Sequence, residues 1–439
     1  MSISHAEKVE KIAQSLRTRE AGLLSIQKGG VSHMMPLARD DRRKDGKVDL
    51  RGLNEIISID AVEKKCAVEP GVTFSQLVQE TLKHRLVPKL VPELKTITVG
   101  GAVSGCSVES MSFRYGGFHD NALSYEVLTG NGLIVKCSPT ENKEIFGMLN
   151  GSYGTLGILT RIDFPLVEAK PFVKMEYPQF DNFDSFYQAM LKACEEKEFD
   201  FIDGIIHNKK CFVLCLGKMV ESAPYSNRYD RTKVFYKSTR KRSEDYLALY
   251  DYFFRYDADC HWLSRKIPGL ENPLIRLLFG KKLLSSTKLL EYSHRFAALL
   301  QKGRPDVVLD CFIPSSRFEN FFRFYEERFD YFPLWIVPYR IEEPYPFLAD
   351  GFRSRIEDKL FIDCAIYGKP NNDPGLDYYS LLEEKLFELA GLKALIARNT
   401  YSEERFWEIY SRERYAMAKA MTDPTGRFRG IYEKVHCRG

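Results

Sequence analysis

The sequence predicts an α+β protein of two domains. Three observations carry that reading. The chain is 439 residues long, more than one ordinary core accommodates. From about residue 22 to 170 it runs as short alternating apolar segments separated by turn residues. Past Pro171 its character changes to dense aromatics and longer helical patterns. The expected division is residues 1–170 as a first domain, 171–390 as a cap over it, and 391–439 as helices returning to the first.

The segment SHAEKVEKIAQSLRTRE reads as a polar helix. LLSIQ, KVDLR, IISID and KKCAVEP alternate apolar and polar residues, the period of a half-buried strand. VTFSQLVQETLKHRL is amphipathic, with Phe74, Leu77, Val78 and Leu82 on one side and Thr73 or Ser75 as cap. YEVLT and LIVKCS, joined by Gly130-Asn131-Gly132, predict a hairpin. NKEIFGMLNGSYGTLGILTRIDFPLV reads as a short helix, a glycine cluster and a strand. In the second part, FDSFYQAMLKACEEKEF is helical, and FIDGIIH and CFVLCLG are strands. ALIARNTYSEERFWEIYSRERYAMAKAMTDPTGRF gives two helices before Asp423-Pro424.

Composition narrows the function. Hydrophobic residues are 44% and charged residues 28%, as in an ordinary globular protein, and the net charge of +4 makes no case for nucleic acid. The ten cysteines form no CxxC and no zinc-spaced cluster, so free thiols in a reducing compartment and no metal site are expected. No run of eighteen apolar residues and no leader pattern is present, which points to a cytoplasmic protein. Two stretches leave peripheral contact with an anionic membrane open. These are RYDRTKVFYKSTRKR at 228–242 and LIRLLFGKKLLSSTKLL at 274–290, with a solvated basic face as the plain alternative.

The chemistry sits in three glycine clusters. The most informative runs LKTITVGGAVSGCSVESMSFRYG: a β-branched run, the pair Gly100-Gly101, then small residues to Gly116. The others are Lys28-Gly29-Gly30-Val31-Ser32-His33 and Gly151 to Gly157. Glycine lets backbone approach a ligand, and convergent N–H groups bind anions, so a pyrophosphate is the natural guest. The Rossmann fingerprint GxGxxG, the P-loop, GxSxG and HExxH are all missing from the sequence.

VEPGVTFSQL, VPELKTITVGGAVSGCSVESMSFRYG, YEVLTGNGLIVKCSPTENKEIF and GTLGILTRI, in that order, resemble the FAD-binding (PCMH-type) domain of the vanillyl-alcohol-oxidase superfamily. Within it they resemble the Δ24-sterol reductase family. ENPLIRLLFG, FPLWIVPYR, AIYGKP and EERFWEIY extend the resemblance into the second half. It implies a two-subdomain FAD-binding domain, with Lys28, Gly29, Gly30, Val31 and Ser32 and then Thr98, Val99, Gly100, Gly101 and Gly105 around the pyrophosphate. Ser107, Ser110 and Arg114 would follow on the flavin side, with Gly154, Gly157 and Ile158 beside the ribityl chain or adenine. Some members attach FAD through a histidine where this chain has Val31, and His33 falls two residues later, so the flavin is expected to be non-covalent. Hydride would pass through flavin N5, reducing a C=C bond of a lipophilic, sterol- or isoprenoid-like substrate, with NAD(P)H as donor. An alcohol oxidase or dehydrogenase, or a flavin-binding scaffold without turnover, is the alternative. Proton-handling candidates are Glu109 and Tyr367, with Lys419 as a cation near the flavin N1 side. Trp335, Tyr339 and Arg340 are expected on the substrate side.

Overall fold

The computed structural model describes residues 3–20, 22–29, 41–230, 233–259 and 305–436, with 262, 265, 271, 272 and 274–278 between them. The first helix, His5–Thr18, begins at a capping box in which Ser4 and Glu7 satisfy each other's amides. It buries Val9, Ala13 and Leu16. Thr73 caps the helix Phe74–Leu82, accepting from the Gln76 N–H.

Among the described residues the strands form three sheets. Leu24–Gln27 and Gly46–Asp49 pair in parallel. A six-stranded antiparallel sheet has Ile158–Glu168 at its centre, flanked by Lys65–Val68 and Ser124–Leu128. The hairpin pairs Leu128 with Ile134 across its turn. A nine-stranded antiparallel sheet begins at Phe172–Glu176 and ends with Leu392–Lys393. It includes Phe201–Asn208 and Cys211–Val220, the two strands expected from FIDGIIH and CFVLCLG.

The nine-stranded sheet is buried on both faces, and alternation sorts its side chains. Ile202, Ile206, Leu334, Ile336, Ile362 and Cys364 pack beneath the helices Phe183–Glu196 and Phe318–Arg328. Phe201, Val213, Trp335, Val337, Tyr339 and Phe361 face the other way, into a core shared with the six-stranded sheet and the helix Phe74–Leu82. Burial of residues such as Phe201 and Val337 contributes roughly 1.5–3 kcal/mol each. That shared core sets the two sheets against each other and positions everything between them.

The C-terminal tail locks onto the first third of the chain. Arg427 donates to the carbonyls of Leu16, Arg19 and Glu20, Arg429 pairs with Asp45 at 2.7 Å, and the Gly130 N–H donates to the Thr422 carbonyl. The helices Glu403–Ile409 and Arg412–Thr422 are followed by a third, Ile431–Val435, that the sequence did not signal.

A β-branched run before a glycine pair has the composition of a strand and turn, but the glycine segment forms neither. Val99–Gly105 is a short helix with Thr98 as its cap. Thr98 makes only a single bridge to Thr73. A capping threonine followed by small residues outcompetes a weak strand propensity here, because Val99 and Val103 bury their side chains in the shared core.

Candidate active site

A cleft of about 800 Å3, open solvent included, lies between the two sheets. One wall comes from the first third of the chain: Gly105, Cys106, Met148 and the run Asn150 to Tyr153. The facing wall carries Phe312, Tyr339, Tyr345, Phe347 and the segment Leu392 to Leu395. The tail closes it with Trp407, Tyr410, Ser411, Tyr415 and Ile431. Eight of its twenty lining residues are aromatic. Tyr153 fixes the far end, its hydroxyl accepting the Leu395 N–H at 2.9 Å. The Nε1 of Trp407 is buried with no hydrogen-bond partner among the described residues. A buried donor without a partner on the wall of a cleft can be answered by a ligand acceptor.

Two phenols of that wall converge on one carboxylate. Tyr345 donates to Asp120 Oδ2 at 2.9 Å and Tyr339 donates to the same oxygen at 3.2 Å. The Gly117 N–H donates to it as well, at 2.7 Å. His119 Nε2 lies 3.0 Å from the Tyr345 hydroxyl and 3.4 Å from Asp120 Oδ1. Burial raises the Asp120 carboxyl above its usual range, against the pull of His119, the Gly117 amide and Tyr339. Burial lowers His119, so its imidazole is neutral, although Asp120 opposes that shift. Gly116-Gly117 makes this packing possible. A Cβ on Gly116, at φ +73°, would sit 2.6 Å from Asp120 Oδ2, and one on Gly117 would sit 2.3 Å from His119 Cε1. The sequence motifs end at Gly116 and do not include this constellation; its signal is the His119-Asp120 pair that begins two residues past Gly116-Gly117.

The residues expected around a cofactor are distributed more widely. Gly105 lines the cleft. The amides of Val99, Gly100, Gly101 and Ala102 are already spent on Val72 O, Pro70 O, Thr98 Oγ1 and Thr98 O. Two of these amides tie the loop to the Pro70–Val72 turn and two close the first turn of the helix. What the loop offers is an open approach. A Cβ on Gly101 would meet only Thr98 Oγ1, at 3.1 Å, whereas one on Gly100 would strike Pro70 Cβ at 2.6 Å. Lys28 is half-buried and Gly29 exposed, with burial lowering the Lys28 amine. Gly30, Val31, Ser32 and His33 lie outside the described residues. Ser107 caps nothing of the cleft; its carbonyl accepts the Phe118 N–H. Arg114 donates to the carbonyls of Lys197 and Phe199 and tethers the nine-stranded sheet. Gly154 and Gly157 take positive φ beside Ile26 and Val127, and Ile158 is buried at the start of the central strand.

The proton-handling candidates are held apart from the cleft lining. Glu109 is buried in an ion pair with Arg255, Oε1 to Nη2 2.8 Å, and it accepts from Ser110, whose hydroxyl lies 3.0 Å from the Tyr252 hydroxyl. Arg255 also reaches Asp203 at 3.4 Å, and Asp203 accepts the Trp335 indole N–H at 2.8 Å. Trp335 is thus a core residue of this network. Tyr367 donates to Asp310 at 2.5 Å. Lys419 donates to the carbonyls of Thr155 and Phe428 and pairs with Asp423, all at 2.7 Å. Arg340 donates to the Phe113 carbonyl. Of the residues expected on the substrate side, Tyr339 is the one that lines the cleft.

The Glu109 network makes stability depend on pH. Burial pushes the Glu109 carboxyl up to about 7, outweighing Arg255, where an ordinary glutamate titrates at 4.5. The folded protein holds this proton to higher pH than the unfolded chain does. Stability is then fully present below about 4.5 and falls by an order of 2–3 kcal/mol as pH rises through about 7. Urea midpoints of wild type and Glu109→Gln across this window check it: the substitution removes the slope. A parallel pair of curves would refute it.

The basic run at 228–242 is largely paired at home. Arg228 bonds Asp251, Lys233 bonds Asn227, Lys237 pairs with Glu271 and Arg242 with Asp245. Most of the 274–290 stretch lies outside the described residues. Among those described, no helix is long and apolar enough to cross a membrane.

A family model described as an FAD binding domain matches residues 3–138. The chain is similar to a human protein named Delta(24)-sterol reductase, 25% identical over 406 residues, 90% of this chain and 78% of that one. An Arabidopsis thaliana protein of the same name is 22% identical, over 98% of this chain and 84% of its own. The rice protein Cytokinin dehydrogenase 9 is 32% identical over 165 residues, 34% of this chain and 31% of its own.

Proposed function

On the premise that this chain is an FAD-dependent oxidoreductase related to the Δ24-sterol reductases, we propose that it reduces an isolated C=C bond of a lipophilic, sterol- or isoprenoid-like substrate. The observation that carries this reading is the aromatic cleft between the two sheets. It is apolar and walled on one side by glycine-bearing backbone. The residues present fit a flavin: Gly105, the Asn150–Tyr153 run and the open face at Gly101 leave room for it, and the Trp407 indole N–H awaits an acceptor. These residues would hold FAD non-covalently, with Val31 where a histidine would attach it.

Bound FAD supplies hydride through N5 of its ring. The chain's own contribution is to exclude water with Phe312, Phe347 and Trp407, and to keep a proton source at the wall opposite the flavin. NAD(P)H is the proposed electron donor. The rings of Tyr345 and Phe347 stack at 4.7 Å, a flat surface for an apolar ring system.

Purified protein tests this directly. It should be yellow, release its flavin to the supernatant on acid precipitation, and bleach with NADPH without oxygen. A Δ24-unsaturated sterol should then restore the colour. Bleaching by an alcohol would point to alcohol oxidation, and flavin that no donor reduces would refute an oxidoreductase of either kind.

A further inference from the structure

We propose that Tyr345 delivers the proton that completes C=C reduction, and that Asp120 replenishes it through the phenol. This deepens the proposed function and rests on it. Tyr345 lines the cleft while its hydroxyl touches Asp120 Oδ2 at 2.9 Å and His119 Nε2 at 3.0 Å. Tyr339 is held to the same oxygen from the neighbouring strand. A phenol with one side on a cleft and the other on a buried acid is the arrangement a proton relay needs.

The step balances. Hydride from reduced flavin adds to one alkene carbon, and the Tyr345 hydroxyl proton adds to the other. Tyr345 takes the Asp120 proton at the same time and remains a neutral phenol. Asp120 is left as a carboxylate and the flavin is left oxidised. The step reverses the resting bond: burial raises the Asp120 carboxyl, and the protonated acid donates to the Tyr345 oxygen, which turns the phenol proton towards the cleft. After it, the Gly117 N–H and the hydroxyls of Tyr339 and Tyr345 all donate to the new anion. His119, neutral and with Nδ1 buried against Gly117, holds the Tyr345 oxygen in place. Asp120 and His119 are positioning residues, since neither lines the cleft.

The test uses flavin-loaded protein, NADPH and a Δ24-unsaturated sterol. Tyr345→Phe should bleach with NADPH at the wild-type rate, while reoxidation by the sterol slows about 10²–10⁴-fold. Tyr339→Phe removes one donor from the same carboxylate and should slow it about tenfold, less than Tyr345→Phe. Asp120→Asn should fall with Tyr345→Phe, and it carries the test if that variant fails to fold. In flavin-free protein labelled with ¹³C at the tyrosine ζ position, Asp120→Asn should shift the Tyr345 signal, assigned by its absence in Tyr345→Phe. An unmoved signal means the contact does not exist in solution and overturns the relay. A Tyr345→Phe variant reoxidised at the wild-type rate also overturns it. A wild type that the sterol fails to reoxidise overturns the substrate reading, and this proposal with it.

Discussion

Arg255→Ala is expected to cost about 3–5 kcal/mol of folding stability, read as a shift in denaturant midpoint. Arg255 is fully buried and faces two buried carboxylates, Glu109 at 2.8 Å and Asp203 at 3.4 Å. Its guanidinium also lies over the Tyr252 and Tyr256 rings, at 4.2 and 4.8 Å from their centres. Removing it leaves two acids without their shared cation and a cavity among aromatic rings. The network joins Glu109, next to the glycine segment, to Asp203 and Trp335 on the nine-stranded sheet, so the loss should fall on the junction between the sheets. Glu109→Gln keeps most of the packing and should cost far less. A loss below about 1 kcal/mol for Arg255→Ala would show that the pair is solvated and that the junction is held elsewhere.

Gly101→Val should fold normally and lose flavin. The Gly101 residue is exposed on the face of its helix, and an added Cβ meets only the Thr98 hydroxyl. Valine is no worse a helix residue than glycine, so apoprotein stability should change by less than about 0.5 kcal/mol. Flavin bound against this surface would meet the branched side chain, and affinity should fall by about 10²-fold or more, some 3 kcal/mol. Gly100→Ala is the opposite case. Its Cβ enters Pro70, so it should destabilise the apoprotein by about 1–3 kcal/mol whether or not flavin is present. Fluorescence titration with FAD and a thermal melt of each variant separate the two. If Gly101→Val retains full flavin affinity, the cofactor does not approach this helix.

These neighbouring glycines also show why the local reading erred. Thr96 to Val99 has the composition of a strand, and Gly100-Gly101 that of a turn. Helix formation was decided by contacts no window contains: the Val99 amide on Val72, the Gly100 amide on Pro70, and Val103 in the shared core. Glu109 and Lys419 were reasonable ionisable candidates for the same reason that they proved to be spoken for. A buried charge must be paired: the partner of Glu109, Arg255, lies far along the chain, whereas Lys419 pairs with Asp423 four residues on.

The sequence by itself determined the elements whose signals are local: the capped helices His5–Thr18 and Phe74–Leu82, the hairpin at Gly130-Asn131-Gly132 and the alternating strands of the two- and six-stranded sheets. Periodicity, capping and turn chemistry act over a few residues and are written there. Its ordered motifs also carried the FAD-binding resemblance, which the family match over residues 3–138 supports. Tertiary structure alone decided which rings face one another across the cleft, and that Tyr339 and Tyr345 meet on Asp120, more than two hundred residues away. That meeting depends on packing one sheet against another, and the free energy of such packing belongs to pairs of distant residues.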